Sequence, residues 1–301
     1  MMDMPAVGSR VSLRYRLPPG SGKPLTDVVG HVEQVDPAVL VRTRSGELVT
    51  VAQADVVSVH ELSHAPVRAS EIRALEHAAA LAWPGTEQRW LGGWFVRAGH
   101  GVTSRANSAL PLDVSAQVAD LPAVVEWYRE RGLPAWLALA ERLLPVRAEG
   151  SKPARVMVRD LTAAAAPDVT LSPHPDTAWL RTYEREVPVD VLTAVIDGEL
   201  TFASTGHAVG RGAVTTAPDG TRWLGISSVR VAPAHRRRGQ ARAVCDALST
   251  WGAEVGAERA YIQVESDNHA AIALYTALGF RLHHQTRYVL ADDILAPARN
   301  L

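Results

Sequence analysis

Several features that would narrow the class of the protein are scarce in this sequence of 301 residues. It contains one cysteine, Cys245, so no disulfide can form within the chain and a metal site built from thiolates is disfavoured. Such cysteine usage is typical of a reducing compartment. No stretch approaches the roughly 18 to 20 apolar residues that a membrane-spanning helix needs. The sequence therefore favours a protein without disulfides or membrane-spanning helices.

A charge excess of either sign is also missing. The chain has 31 Lys and Arg against 32 Asp and Glu, a formal net charge of −1, so no overall field attracts it to nucleic acid or to an anionic membrane. We therefore do not expect a nucleic-acid or membrane partner, and any anion must be bound locally. The first ten residues lack the apolar core of a secretion signal, and we expect a soluble, cytoplasmic protein.

Short β-type segments dominate the first 62 residues. The runs "RVSLRYRL", "DVVGHVEQV", "AVLVRTR" and "LVTVAQADVVSVHEL" are separated by turn signals such as "PPGSGKP" and "SG". Runs of this length between turn signals are typical of small β-barrels. The pattern predicts a small all-β domain over residues 1–64, similar to SH3-like barrels.

Two further stretches follow this domain. Residues 66–160 mix helical and strand patterns, and an alanine-rich stretch, "LTAAAAPDVTLSPHPD", reads as a linker after them. Residues 161–301 begin with antiparallel-looking hairpins and end in a β-α-β-α-β order. This order predicts an α/β (α+β) domain with a mixed, mostly antiparallel sheet.

An arginine cluster lies where a strand gives way to a helix, in "SSVRVAPAHRRRGQARAV". Pro233 ends the apolar strand, and an apolar stripe predicts a helix from about Gln240. A helix start presents unpaired N–H groups and the positive end of the helix dipole, and the small residues Gly239 and Ala241 leave room for a phosphate. A solvated helix face and a nucleic-acid patch are the alternatives.

A second motif, "VESDNHAAIALYTALGF", follows the strand "AYIQVE". Asn268 is a suitable N-cap for its helix, and Gly279 a suitable terminator. Taken alone, the helix would indicate that Tyr275 is a core residue, because aromatic residues in an apolar stripe usually pack.

Together these motifs resemble the GCN5-related N-acetyltransferases. Residues 236–241, "RRRGQA", match the family signature Arg/Gln-x-x-Gly-x-Gly/Ala, and residues 264–280 resemble its later motif in the expected order. The resemblance implies the fold of that family, acetyl-CoA as cosubstrate and direct acetyl transfer to a primary amine; independently of it, we expect no metal.

The resemblance also implies roles for individual residues. The pyrophosphate would be held by backbone amides around the helix start, and the pantetheine arm would pair beside the preceding strand like an additional strand. Asn268 would touch the cofactor as well as cap its helix, and Tyr275 would donate a proton to the departing thiolate. The other residues expected to bind acetyl-CoA are Val229, Arg230, Val231, Arg236, Arg237, Arg238, Gly239, Gln240, Ala241 and Arg242.

The general base is where the sequence departs from better-known members of the family. The strand "GISSVRV" carries no acid, and Gln263 stands where some members of the family have Glu. Strand alternation puts Glu265 on the same face as Gln263, so Glu265 is the candidate base, either directly or through a water. A surface carboxylate is the alternative interpretation, and His207 is a weaker candidate. The adjacent His283 and His284 should point to opposite faces of a strand and cannot share a metal.

The whole arrangement also resembles actinobacterial two-domain acetyltransferases, some of which are described as N-acetylglutamate synthases. If so, Arg105 in "TSRANS" can pair with a substrate carboxylate and Asn107 can hydrogen-bond to it, although a self-stabilised turn is equally consistent with this segment. Residues 66–160 would be a degenerate acetyltransferase half or a substrate-side extension.

We therefore expect an N-acetyltransferase that acts on an amino acid, glutamate-like for example, or on another small-molecule amine. The alternatives are a protein lysine or N-terminal acetyltransferase, and a binding module that senses acetyl-CoA without turnover. The sequence leaves the oligomeric state open, including a homodimer.

Overall fold

The computed structural model describes residues 4–18, 20–63, 65–146, 148–161 and 169–296. The chain divides into two compact units, Met1–Val67 and Arg68–Leu301. The strands of the first unit are β1 (Arg10–Arg16), β2 (Leu25–Gln34), β3 (Ala38–Thr43), β4 (Leu48–Ala52) and β5 (Val56–Leu62).

The first unit is a five-stranded antiparallel sheet in the order β4-β3-β2-β1-β5. Side chains alternate along its strands, so that Val39 and Val41 of β3 are fully buried while Arg42 is exposed. The buried face is almost entirely valine, a β-branched residue that packs well on a pleated surface. The prediction of a small all-β domain is confirmed.

The second unit contains an eight-stranded sheet, a three-stranded sheet and seven helices among its described residues. Its elements in chain order are α1 (Ala69–Ala82), β6 (Glu87–Leu91), β7 (Trp94–Ala98), β8 (Leu110–Pro111), α2 (Leu121–Arg129), β9 (Trp136–Ala140), β10 (Ser151–Asp160), β11 (Thr170–Ser172), α3 (Thr177–Tyr183), α4 (Val189–Thr193), β12 (Glu199–Ser204), β13 (Ala208–Thr216), β14 (Arg222–Val231), α5 (Gln240–Glu254), β15 (Arg259–Glu265), α6 (His269–Ala277), β16 (Arg281–Leu290) and α7 (Ala291–Leu295).

The large sheet has the order β11-β12-β13-β14-β15-β10-β16-β9. Its neighbouring strands are antiparallel except for β14 and β15, which are parallel. The predicted mixed, mostly antiparallel sheet is confirmed. None of the helices within the described ranges has both the length and the apolar character needed to cross a bilayer.

The expected boundary between residues 160 and 161 falls inside this sheet. Strand β10, which precedes the boundary, lies between β15 and β16, which follow it. Residues 68–301 are thus one compact unit, and a duplicated origin for residues 66–160 stays a prediction. Of the expected linker, residues 162–168 lie outside the described part, while Thr170–Ser172 pairs with β12 as an edge strand.

Helix α5 lies very close to the sheet because β13 carries two glycines. A Cβ at Gly210 would stand 2.5 Å from Val244 Cγ1, and one at Gly212 would stand 2.9 Å from Leu248 Cδ2. Such distances are shorter than real side-chain contacts. Because these positions are glycine, the apolar stripe of α5 reaches the sheet and forms the core of this unit with residues of β14, β15 and α6.

The parallel pairing of β14 with β15 is short. Residues 223–225 pair with residues 259–261, and no pairing is recorded beyond Gly225 and Tyr261. A Cβ at Gly225 would lie 2.3 Å from the Tyr261 hydroxyl oxygen, so the phenol occupies space that any other residue would need. The edge of residues 226–231 that faces β15 therefore has no strand partner in the described part of the chain.

A buried arginine joins β13 to the ends of two helices. Arg211 is 1% exposed; its Nε donates to Leu192 O at 2.7 Å, and its Nη2 donates to Ala82 O and Ala194 O at 2.9 Å each. Its guanidinium stacks over Trp83, 4.5 Å from the ring centroid. Burial lowers the pKa of this group to about 9, which is still above neutral pH. Arg211 therefore satisfies carbonyls that the ends of α1 and α4 leave free.

We expect Arg211→Met to lower the free energy of unfolding by about 3 kcal/mol or more, because three buried carbonyls lose their donor. Urea unfolding measures the change. Arg222→Met is the control, since Arg222 makes a half-exposed pair with Glu199 and its loss should cost at most about 1 kcal/mol. Equal losses for the two variants would contradict this role of Arg211.

Candidate active site

The start of α5 is open to a ligand. Gly239 is the N-cap of α5, with φ of +77°. At this position, within the described residues, no side chain accepts a capping hydrogen bond from the first-turn amides. A Cβ at this glycine would meet nothing within 4 Å. The first-turn amides have no acceptor within the helix, and the preceding Arg236, Arg237 and Arg238 are exposed. An open helix start with cations around it fits a diphosphate.

Side chains on both flanks anchor this helix start. Gln240 Oε1 accepts from Thr205 Oγ1 at 2.5 Å, and Arg242 Nη2 donates to Ala277 O, at the end of α6, at 3.3 Å. Arg236 Nε donates to Val231 O at 3.4 Å. The loop between β14 and α5 is therefore tied to β12, α6 and β14. Helix α5 begins at Gln240, which confirms the helix start expected from the sequence.

His207 belongs to the surroundings of this loop. Its ring stacks on that of His235 with centroids 3.6 Å apart, and its carbonyl accepts from Ala232 N at 2.9 Å. Burial, followed by the charges of His207 and Arg238, lowers the pKa of His235. His207 is thus beside the helix start rather than among the residues that line the cavity described below.

The unpartnered edge of β14 begins next to a bulge. Ser228 has φ of +56°, and three residues of β14 lie opposite two of β13 at this point. Val229 and Val231 pack against the core cluster that contains Tyr275. Arg230 makes an ion pair with Glu184 at the end of α3. Contacts with the core and with α3 therefore hold the side chains of residues 229–231. The backbone edge of this segment that faces β15 has no strand paired with it among the described residues.

Helix α6 supplies the two residues expected from the second motif. Asn268 is its N-cap, since its Oδ1 accepts from Ala271 N at 3.1 Å, and the expected capping role is confirmed. Tyr275 is 8% exposed, and its ring meets Phe280 edge-on at 5.8 Å, in the cluster that includes Ile226. Burial raises the pKa of the phenol, and Arg105 opposes this only weakly. Tyr275 therefore keeps its proton at neutral pH.

A cavity opens where β14 and β15 part, against α1. It holds about 260 Å³ of empty space, part of it open to solvent. Two of its polar atoms, Ser227 Oγ and Trp83 Nε1, are buried and have no hydrogen-bond partner within the described residues. The charged and polar side chains that line it are Arg105, Arg211, Ser227, Tyr261 and Gln263.

The lining of this cavity is cationic. Arg105 and Arg211 approach the ring of Trp83, 5.5 and 4.5 Å from its centroid, and no carboxylate is among the lining side chains that the structure describes. A third arginine, Arg97, is 3% exposed and donates to Trp83 O at 2.8 Å. The site is therefore suited to an anionic group that accepts hydrogen bonds.

Asn107 does not face this cavity, contrary to the expectation for "TSRANS". Its Oδ1 accepts from Gly99 N at 2.8 Å and from Gly101 N at 2.9 Å, and its Nδ2 donates to Thr103 O at 2.7 Å. The amide is 5% exposed, and both of its ends serve the backbone of its own loop. Asn107 holds this loop, and Arg105 is the residue of the segment that reaches the cavity.

The candidate base Glu265 does not reach the cavity. Gln263, expected on the same face of β15, lines the cavity, whereas Glu265 is exposed at the end of the strand. A buried carboxylate, Glu76, lies instead behind Gln263, whose Nε2 is 3.5 Å from Glu76 Oε1. Sequence analysis missed it, although Ile72, Leu75, Glu76 and Ala79 follow the i, i+3, i+4, i+7 spacing of a buried helix face.

His283 and His284 do not point apart as expected. Val156 pairs with His284 and Met157 with Leu282, so His283 is the additional residue of a β-bulge. The Nδ1 atoms of the two rings are 2.7 Å apart, and His284 Nε2 is 3.0 Å from Glu76 Oε1. The bulge overrides strand alternation here and creates a continuous hydrogen-bonded chain.

Comparison with known proteins agrees with this fold. Residues 69–289 match the family model described as "Probable histone acetyltransferase Rv0428c C-terminal", and residues 5–60 match "Rv0428c N-terminal Sm-like domain". A protein of Mycobacterium tuberculosis named "Probable histone acetyltransferase Rv0428c" is 49% identical over 98% of both chains. The "Uncharacterized N-acetyltransferase YobR" of Bacillus subtilis is 26% identical over 70% of this chain and 94% of its own.

A solved structure shares the fold at low identity. The GCN5-related N-acetyltransferase from Kribbella flavida superposes with a TM-score of 0.52 and 15% identity, covering 74% of this chain and 95% of its own. Acetyltransferases of this kind use acetyl-CoA as acetyl donor, and the helix start described above suits its diphosphate. The chain therefore belongs to the GCN5-related N-acetyltransferases, within the family of Rv0428c, and its small all-β unit is the Sm-like domain of that family.

Proposed function

We propose that this acetyltransferase transfers its acetyl group directly to the primary amine of a small molecule that also carries an anionic group, such as the carboxylate of an amino acid. The observation that carries the proposal is the cationic cavity beside the parting of β14 and β15. Arg105 and Arg211 line it, and no carboxylate among its described lining residues offsets their charge. A carboxylate bound to these guanidinium groups would orient the amine of the same molecule.

In the proposed complex the chain holds acetyl-CoA at two places. Backbone amides from Arg236 to Arg242 bind the diphosphate, with the exposed arginines neutralising its charge. The free edge of Val229 to Val231 hydrogen-bonds the pantetheine arm as it would another strand. Asn268 lies next to this arm in addition to capping α6. When bound, acetyl-CoA supplies the acetyl group as a thioester.

Tyr275 is the proposed proton donor. Burial holds the pKa of its phenol above the ordinary value of 10.0, so the hydroxyl is protonated and able to donate to a departing thiolate. It shares a core cluster with Ile226 and Val264, which lie on the two strands that part. This position supports a role at the thioester end of the β14 edge.

A protein lysine or N-terminal amine is the second candidate acceptor. The name of the 49% identical relative, probable histone acetyltransferase, favours it. The cationic cavity favours the small anionic acceptor, because the charged side chains among its described lining residues are arginines, which disfavour a lysine-rich peptide. Activity as an N-acetylglutamate synthase, which the resemblance to two-domain acetyltransferases suggests, also stays a prediction.

We expect Arg105→Met to raise KM for an amino-acid acceptor by about 10-fold to 100-fold, since a charge-assisted bond to its carboxylate is lost. The same acceptor with its carboxylate amidated should be a poor substrate of the wild type and should not respond to the substitution. Product mass spectrometry of an amine library that includes amino acids, their amides and histone-tail peptides makes the comparison. Acetylation of the peptides alone would replace this proposal with the protein acceptor.

We expect Tyr275→Phe to lower kcat about 100-fold while the affinity for acetyl-CoA, measured by calorimetry, stays the same, because the ring and its packing are kept. The phenol must be protonated to act, so wild-type kcat should not fall on its account until pH rises above 10.0, the ordinary pKa that burial exceeds. Binding of acetyl-CoA without turnover on any amine, in the wild type, would indicate a sensor instead.

Gly239→Val should weaken acetyl-CoA binding at least about 10-fold, because a branched side chain would occupy the open helix start. The control is Gly220→Val in the turn between β13 and β14, which has φ of +87° and equally open surroundings. Both variants bear the strain of a left-handed backbone, about 1 to 2 kcal/mol, so thermal unfolding should shift similarly. Equal acetyl-CoA affinities in calorimetry would contradict the proposed diphosphate site.

A further inference from the structure

A carboxylate and two imidazoles form a hydrogen-bonded chain inside the second unit. Glu76 of α1 is 3% exposed and His284 of β16 is fully buried. Glu76 Oε1 is 3.0 Å from His284 Nε2, and His284 Nδ1 is 2.7 Å from His283 Nδ1. A buried carboxylate needs hydrogen-bond donors to remain charged. This hydrogen-bonded chain therefore consists of buried polar groups that packing alone does not explain.

The positions of the protons follow from the contacts. With Glu76 ionised, His284 Nε2 must carry a proton to donate to the carboxylate. Burial, then the neighbouring His284, lowers the pKa of His283 to about 3, so this ring is neutral near pH 7. The 2.7 Å contact between the two Nδ1 atoms places one proton between the rings. His284 Nε2–H is thereby directed at Glu76 Oε1.

Glu76 is next to the cavity of the proposed acceptor. Gln263, which lines the cavity, has its Nε2 3.5 Å from Glu76 Oε1. Ala79, one helical turn further along α1, also lines the cavity. The recorded hydrogen bonds of the described residues engage only Oε1 of Glu76. Glu76 itself is not among the side chains that line the cavity, so a proton from there would reach it through water beside Gln263.

We propose that Glu76 receives the proton of the substrate ammonium through water beside Gln263, and that His284 is the residue that positions its carboxylate. This inference rests on the proposed amine acetylation and assigns its missing base. Glu265, the residue suggested by strand alternation, is exposed at the end of β15 and has no such surroundings. Burial next to the acceptor is what a base needs in order to act on it specifically.

The protons balance with Tyr275 as donor. One ammonium proton passes to Glu76, and the freed lone pair of nitrogen forms the bond to the thioester carbon. The C–S bond breaks with its electron pair on sulfur, which takes the Tyr275 proton. The second proton of the nitrogen restores the phenol. The proton on Glu76 is then released to solvent, the one net proton of acetylating an ammonium.

Several charged or titratable groups face Glu76 from the surrounding elements. His284 and Tyr288 lie on β16, Tyr261 lies on β15, and Arg97 lies on β7. The charge of Glu76 contributes to the pKa values of Arg97, Tyr261 and Tyr288, although burial is the largest influence on each. Arg97, Tyr261 and Tyr288 keep their protons near neutral pH and remain donors. Whether a fall in rate on the acidic side of the pH profile belongs to Glu76 is therefore tested by substituting Glu76 itself.

The test compares Glu76→Gln with the wild type over pH 5 to 10. Glutamine keeps the volume and the oxygen that accepts from His284 Nε2 but cannot take the proton. We expect kcat/KM for the amine to fall about 100-fold or more at neutral pH and to lose the limb that Glu76 imposes on the acidic side. Acetyl-CoA affinity and unfolding midpoint should stay near those of the wild type. Glu254→Gln, an exposed carboxylate of α5, is the control and should match the wild type.

Two further variants probe positioning. His284→Gln retains a donor to Glu76 and should keep the acidic limb with less than about a 10-fold loss. His284→Leu has no donor and should shift that limb along the pH axis. Independently of turnover, ¹⁵N NMR of the enzyme without substrates should show Nε2–H on His284.

The outcomes separate this inference from the function on which it rests. A wild type that acetylates no amine would overturn the proposed function. A wild type that is active while Glu76→Gln keeps both its rate and its acidic limb would overturn only the role of Glu76, and loss of both in Glu265→Gln would transfer it to that residue. A His284 ring without Nε2–H in NMR would contradict the chain directed at Glu76.

Discussion

The architecture of the site depends on one constraint, the contact between the Tyr261 phenol and Gly225. The phenol occupies the space above this glycine, and the parallel pairing of β14 and β15 ends at that step. Past it, the two strands leave a backbone edge on one side and a cavity on the other. The edge suits the extended arm of acetyl-CoA, and the cavity suits an acceptor. One glycine–tyrosine contact thus separates the proposed acetyl-CoA site from the proposed acceptor site within a single sheet.

Charge is distributed in agreement with this separation. The arginines of the β14–α5 loop are exposed around an uncapped helix start, where binding an anion would cost little desolvation. Of the arginines that line the cavity or lie behind it, Arg211 and Arg97 are buried and donate to backbone carbonyls. Burying such groups is costly unless a partner compensates them. Part of that compensation comes from Glu76, and we infer that a substrate anion supplies the rest.

Much of the cofactor side could be predicted from sequence because it is local. The helix start at Gln240, the cap at Asn268 and the strand before the arginines follow from short-range signals, and the structure agrees with them. The acceptor side could not, since it is assembled from α1, β14, β15 and β16, which are far apart in the chain. Glu76 lies 208 residues from His284, and the bulge at His283 cancels the alternation that the sequence pattern assumes. Asn107 was assigned to the substrate for a related reason. In the sequence, a polar loop residue that stabilises its own loop looks the same as one that binds a ligand.

The proposed site requires acetyl-CoA to occupy the edge of β14 and the start of α5 together. Hydrogen–deuterium exchange of the full chain, with and without acetyl-CoA, reports on both at once. The cofactor should slow exchange of the amides in residues 226–231 and 237–242 and leave the Sm-like domain unchanged. Saturating acetyl-CoA that protects neither segment, or protects another surface instead, would contradict the account.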